Sequence, residues 1–107
     1  MAEVIPAILE KEFEEIERKI HRVEKYIDWV QIDIADNTLV ANTTYKDPAP
    51  FRSLKTRVRL EAHLMVKDPL VYLTSYFDAG FKRFFADFSR CRIKGIEKGA
   101  GMSFGKY

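Results

Sequence analysis

Two hydrophobic rhythms alternate along the chain. Phe13, Ile16, Ile20, Val23 and Ile27 recur at spacings of three and four, with Glu12, Glu14, Glu15, Glu17, Arg18 and Lys19 on the other faces. That is the period of an amphipathic helix of about three turns or more. Its acidic start and its later Lys19, His21, Arg22 and Lys25 suit the helix dipole. A period of two governs Trp29 to Ile34, where Val30, Ile32 and Ile34 share one face and Trp29, Gln31 and Asp33 the other. It returns from Val58 to Met65, setting Val58, Leu60, Ala62 and Leu64 against Arg59, Glu61, His63 and Met65. Alternation of this kind predicts strands. Val4 to Leu9 and Arg83 to Phe88 are two further strand-like runs, and Pro6 confines the first to a sheet edge.

Turn chemistry punctuates these runs. Asp47-Pro48 and Asp68-Pro69 each read as a helix start, with proline at the first helical position. The first opens a short helix ending near Leu54; the second opens one that buries Leu70, Leu73 and Phe77 and stops at Gly80. The order β-α-β-α-β-α-β predicts an α/β fold with four parallel strands near residues 4–9, 29–34, 58–65 and 83–88, joined by right-handed crossovers. The mixed faces matter. Strands covered by helices on both sides are apolar throughout, whereas the faces carrying Gln31, Asp33, Glu61 and His63 are polar. A curved sheet accounts for this, its apolar side on helices and its mixed side turned into a barrel. The expected architecture is a four-stranded parallel β/α half-barrel over residues 1–90. Residues 91–107 form a short Gly-rich tail with at most a helical turn around Ile93 to Lys98.

Composition narrows the function classes. With 47% hydrophobic residues the chain can build a core, and its formal net charge of +2 sets up no field for nucleic acid. Its longest apolar runs are far shorter than the roughly 20 residues of a membrane span, and the start of the chain has no basic segment of a secretory leader. Neither a nucleic-acid nor a membrane partner is expected, and the expected location is cytoplasmic. The single cysteine, Cys91, excludes an internal disulfide and has no histidine near it in sequence.

Asp33 and His63 fall toward the C-terminal ends of neighbouring strands, where barrel active sites lie. Two readings stand for each. Asp33 is either a functional carboxylate or a cap on loop amides; His63 is either a ligand or a hydrogen-bonded interior imidazole. Asp36 reads as a turn residue, and Arg59 with Glu61 as an interior ion pair.

The segments IPAILEKEF (5–13), WVQIDIADNTLVANTT (29–44), EAHLMVKDPLVYL (61–73) and AGFKRFFADFSR (79–90) together resemble the first four strands of ribulose-phosphate 3-epimerases. Those enzymes are (β/α)8 barrels that invert one carbon of a pentulose phosphate through an enediolate. Two aspartates serve as acid and base, and a divalent ion is held by two His and two Asp. The resemblance implies that Asp33 is an acid/base carboxylate and metal ligand, that His63 is a metal ligand, and that Ala7 and Met65 line the substrate site. The implied cofactor is a divalent metal of the zinc, iron or manganese type. The chain departs from the family pattern at Ala7 (serine), Gln31 (a histidine ligand), Ala35 (methionine), Asp36-Asn37 (Asp-Gly) and Asp87 (histidine).

A complete barrel takes roughly 200 residues or more, and these 107 match its first half. The expectation is therefore an epimerase-like half-barrel, weak or inactive alone, with a sugar phosphate as ligand. Bare edges at strands one and four invite a homodimer or higher oligomer, with Phe81, Phe84, Phe85 and Phe88 supplying apolar area. In such a two-fold pair, a metal site would draw Asp33 and His63 from one chain and His63 from the other. The alternatives are a non-enzymatic self-associating module or sugar-phosphate binder, and an unrelated metal-binding α/β protein.

Overall fold

A computed structural model describes residues 4–87 and the backbone of residues 103–105. The alternating runs form β1 (Ala7–Ile8), β2 (Trp29–Ala35), β3 (Arg59–Met65) and β4 (Arg83–Ala86), all parallel and adjacent in chain order. This is the sheet of a β/α half-barrel. β1 is shorter than the run Val4 to Leu9 because Pro6 has no amide proton to give; its carbonyl still accepts the Gln31 amide at 2.9 Å. Beyond β4 lies a fifth parallel strand, β5 (Ser103–Gly105), in register with Arg83–Phe85. The sequence reading had a Gly-rich tail here, because three residues are too few to display a period. β5 also corrects the expectation of a bare strand-four edge. Phe88, Cys91 and the expected turn at 93–98 lie outside the described residues.

Helix α1 (Phe13–Val23) buries Ile16 and Ile20. It ends a turn before Ile27, which nevertheless packs on the core after a turn closed by the Tyr26 amide on the Val23 carbonyl at 2.9 Å. A 3-10 helix spans Ala49–Ser53, and the Asp47 carboxylate accepts the Ala49 amide at 3.0 Å. Helix α2 (Leu70–Asp78) buries Leu73 and Tyr76, while Leu70 and Phe77 are only half-buried. Tyr76 lies outside the expected buried set of Leu70, Leu73 and Phe77; its hydroxyl donates to the Lys46 carbonyl at 2.7 Å, which satisfies the phenol as the ring is buried. Gly80 ends the helix at φ 108°, its amide on the Phe77 carbonyl at 3.0 Å.

The helices and one strand face share a single core. Ile8, Val30, Ile32, Ile34, Leu60, Ala62, Leu64, Phe84 and Ala86 alternate out of the sheet onto Ile16, Ile20, Leu73 and Tyr76. A chain of edge-on rings extends it: Phe51 meets Phe13 at 5.1 Å and Phe81 at 5.0 Å between centroids, and Phe81 meets Tyr76 at 5.0 Å. Phe81 and Phe84 are fully buried here, so they are not available to a partner chain, contrary to the sequence expectation. The opposite strand face keeps Gln31, Asp33, His63 and Arg83 only partly covered.

Candidate functional site

Strand register assembles the polar face in layers. Ala7, Gln31, Glu61 and Arg83 lie side by side across β1 to β4, and one layer further toward the C-terminal ends Asp33 stands opposite His63 and His63 opposite Phe85. Each of Asp33 and His63 is two residues from the end of a seven-residue strand, which puts them at the rim of the sheet.

The lower layer is an electrostatic base. Glu61, 2% exposed, accepts Arg83 Nε at 2.9 Å, and the Arg83 guanidinium lies 3.4 Å from the centre of the Trp29 ring. Arg59, expected from sequence to pair with Glu61, is exposed and lies 5.0 Å from the Trp29 centroid. Alternation alone could not choose between the two arginines; a neighbouring strand in register brings Arg83 alongside. Arg83 thus gives the buried Glu61 carboxylate a charge-assisted hydrogen bond beneath the rim.

At the rim, Asp33 Oδ1 receives two donors. Gln31 Nε2 lies 2.9 Å away and His63 Nδ1 3.2 Å away, with 14% and 20% of the Asp33 and His63 side chains exposed. A carboxylate oxygen only accepts, so this contact is a hydrogen bond in the tautomer that carries a proton on Nδ1. The Gln31 amide nitrogen is also 3.4 Å from Nδ1, the two donors converging on one oxygen.

The loop after β2 is bound back to the site. Thr44 Oγ1 accepts the Ala35 amide at 3.0 Å and donates to the Asp33 carbonyl at 3.0 Å, and its amide reaches the Ala35 carbonyl at 2.9 Å. Asn37 takes φ 67°, a left-handed turn that Asn tolerates and that the family's Gly would adopt freely. Asp36 faces Tyr72 of α2, whose hydroxyl donates to Oδ2 at 2.6 Å, and also accepts the Thr38 hydroxyl and amide. Burial would raise the Asp36 carboxyl, but these donors outweigh it and hold it below the ordinary value. Burial, then Asp36, pushes the Tyr72 phenol up to about 12.

Of the residues singled out by sequence, Asp33, His63 and Gln31 are thus in mutual contact. Ala7 sits beside Gln31 across β1 and β2, and Met65 beside Ala35 at the end of β3. Asp87 follows β4 and lines a groove of about 130 Å³ with Leu39, Val66 and Lys67 at the same rim. The Thr44 links to Ala35 and Asp33 and the Asp36–Tyr72 bond have no sequence expectation, since both depend on how the loop after β2 folds back; the one signal is the N-T-T that ends the second motif.

Parallel strands in chain order, a single helix-covered face and polar side chains gathered at the strands' C-terminal ends define a β/α barrel-type sheet with a polar cluster on its rim. The chain belongs to the ribulose-phosphate 3-epimerase family, whose model matches residues 3–94. It is 32% identical over 79 residues to the ribulose-phosphate 3-epimerase of Rhodobacter capsulatus, covering 72% of this chain and 35% of the relative. The Schizosaccharomyces pombe enzyme of that name is 30% identical over 89 residues, covering 78% and 39%. The cytoplasmic isoform from Oryza sativa subsp. japonica is 31% identical over 86 residues, covering 78% and 37%. The chain therefore spans between a third and two-fifths of the length of these relatives. Among the described residues no helix is long and apolar enough to cross a membrane.

The donor set does not fit the divalent ion that the resemblance implies. Among the described residues no three His, Cys, Asp or Glu side chains converge, and Gln31 turns its amide nitrogen, a donor, toward Asp33. Zinc sites take three or four protein ligands.

Proposed function

We propose that this chain supplies the Asp33 side of an epimerase site for a ketose phosphate, and that as a 107-residue polypeptide it moves protons slowly. The observation carrying this reading is the Asp33–His63 pair, in register at the rim and oriented by Gln31. Asp33 would take the proton from the carbon next to the substrate ketone. The electron pair left behind moves onto the carbonyl oxygen as an enediolate, and the proton returns from the same carboxyl group. His63 and Gln31 hold Asp33 in place by hydrogen bonds. Inversion needs a second acid on the opposite face of the enediolate. The other carboxylate of the described strands, Glu61, sits a layer lower and is bound to Arg83. Conversion of ribulose 5-phosphate to its 3-epimer should accordingly run at least about a hundredfold below a full-length relative. Turnover equal to that relative's would refute this weakness, and activity unaffected by Asp33→Asn would refute the assignment.

A second reading, a self-associating module, draws on β1. β1 and β5 are the outer strands of the described sheet, and Val4 and Leu9 beside β1 are 75% and 47% exposed. A two-fold axis along the strands would set β1 of one copy beside β5 of the other. Light scattering at micromolar concentration should give a dimer or larger; a monodisperse monomer would contradict it.

A further inference from the structure

We infer that the Gln31 amide replaces a cation in this site, holding Asp33 and orienting His63 by hydrogen bonds, so that the chain does not select a divalent metal. A cation held between Asp33 Oδ1 and His63 Nδ1 would need a lone pair from each. Here Asp33 Oδ1 already accepts Gln31 Nε2 at 2.9 Å and faces His63 Nδ1 at 3.2 Å, so hydrogen bonds fill the space such an ion would take. Turning the amide over would press its oxygen against Oδ1 at the same distance, acceptor against acceptor, so the network fixes the nitrogen inward. A neutral side chain thereby supplies an N–H donor to the carboxylate, and no third His, Cys, Asp or Glu completes a ligand group among the described residues.

The Thr44 hydroxyl draws on the Asp33 backbone carbonyl rather than on its carboxylate, so it does not compete for this role. Ala7, next to Gln31 in register, carries no polar group that could restore a ligand. The position where a single change would convert the cluster is therefore Gln31 itself: an imidazole there would offer a lone pair in place of the amide protons, giving three donors with Asp33 and His63.

The inference rests on Asp33 and His63 forming the site proposed above. Its test reads metal binding, not turnover, so the two can fail separately. The purified 107-residue protein is titrated calorimetrically with Zn²⁺ and with Mn²⁺, beside His63→Ala, Gln31→His and Gln31→His/His63→Ala. Wild type should bind no tighter than His63→Ala. Gln31→His should bind one Zn²⁺ per chain about tenfold or more tighter, and lose that gain in the double variant. One Zn²⁺ held by wild type at micromolar affinity and released by His63→Ala would overturn the inference. So would a folded Gln31→His, checked by circular dichroism, that gains nothing. A measurement on wild type alone stands whether or not the variants fold: the ¹⁵N resonances of the His63 ring should be unmoved by one equivalent of Zn²⁺, and their displacement would equally overturn it.

Discussion

Thr44 carries more of the rim than its size suggests. It is 3% exposed, and its hydroxyl both accepts from Ala35 and donates to Asp33, tying a loop to the strand that bears the site carboxylate. Thr44→Val keeps the shape but strands a buried amide and a carbonyl. It should cost about 1–3 kcal/mol in urea unfolding, against near zero for a surface threonine. Tyr72 makes a comparable link from α2 to the loop. Tyr72→Phe removes a hydroxyl bond to a charged carboxylate and should cost about 1.5–3 kcal/mol at pH 7. Its pH dependence has a definite sign. The Tyr72 phenol is raised in the folded state to about 12, so its contribution is complete below the unfolded value of about 10 and is lost as pH climbs through the folded one. The stability gap between wild type and Tyr72→Phe should narrow over that window. Asp36 is lowered, so its contribution holds above the ordinary carboxylate range and fades as pH falls through its folded value. A gap that stays constant from neutral to strongly alkaline pH would refute the linkage.

At the scale of elements, the ring cluster joins what the backbone leaves apart. Phe51, on the 3-10 helix, is 4% exposed and touches rings from α1 and from the segment before β4. Phe51→Ala should cost about 3–5 kcal/mol, read from the denaturation midpoint, and a loss below about 1 kcal/mol would mean the cluster is loosely packed. The strands that carry the site were legible in the sequence for a simple reason: Val30, Ile32, Ile34 and Leu60, Ala62, Leu64 alternate strictly, and that parity sends Asp33 and His63 to the same face. Their convergence also followed from each lying near its strand's end. Partners were less legible. Which arginine meets Glu61 depends on the pairing of β3 with β4, and which way the Gln31 amide points depends on Asp33 and His63 together. β5 is three residues long, and Tyr76 is buried through a backbone carbonyl thirty residues away in sequence; neither leaves a periodic trace.

For the molecule as a whole, the function proposed above assigns proton transfer next to a ketone to Asp33, the one carboxylate in the His63 layer of the described strands. A single carboxylate acting on one face of an enediolate returns the proton to the side it came from. Exchange with solvent should then outrun inversion. The direct measurement is proton NMR of ribulose 5-phosphate in D₂O with the purified chain. The account predicts slow deuterium incorporation at carbon 3, in excess of 3-epimer formation and abolished by Asp33→Asn. Incorporation no faster than the buffer control, or unchanged in Asp33→Asn, would contradict it.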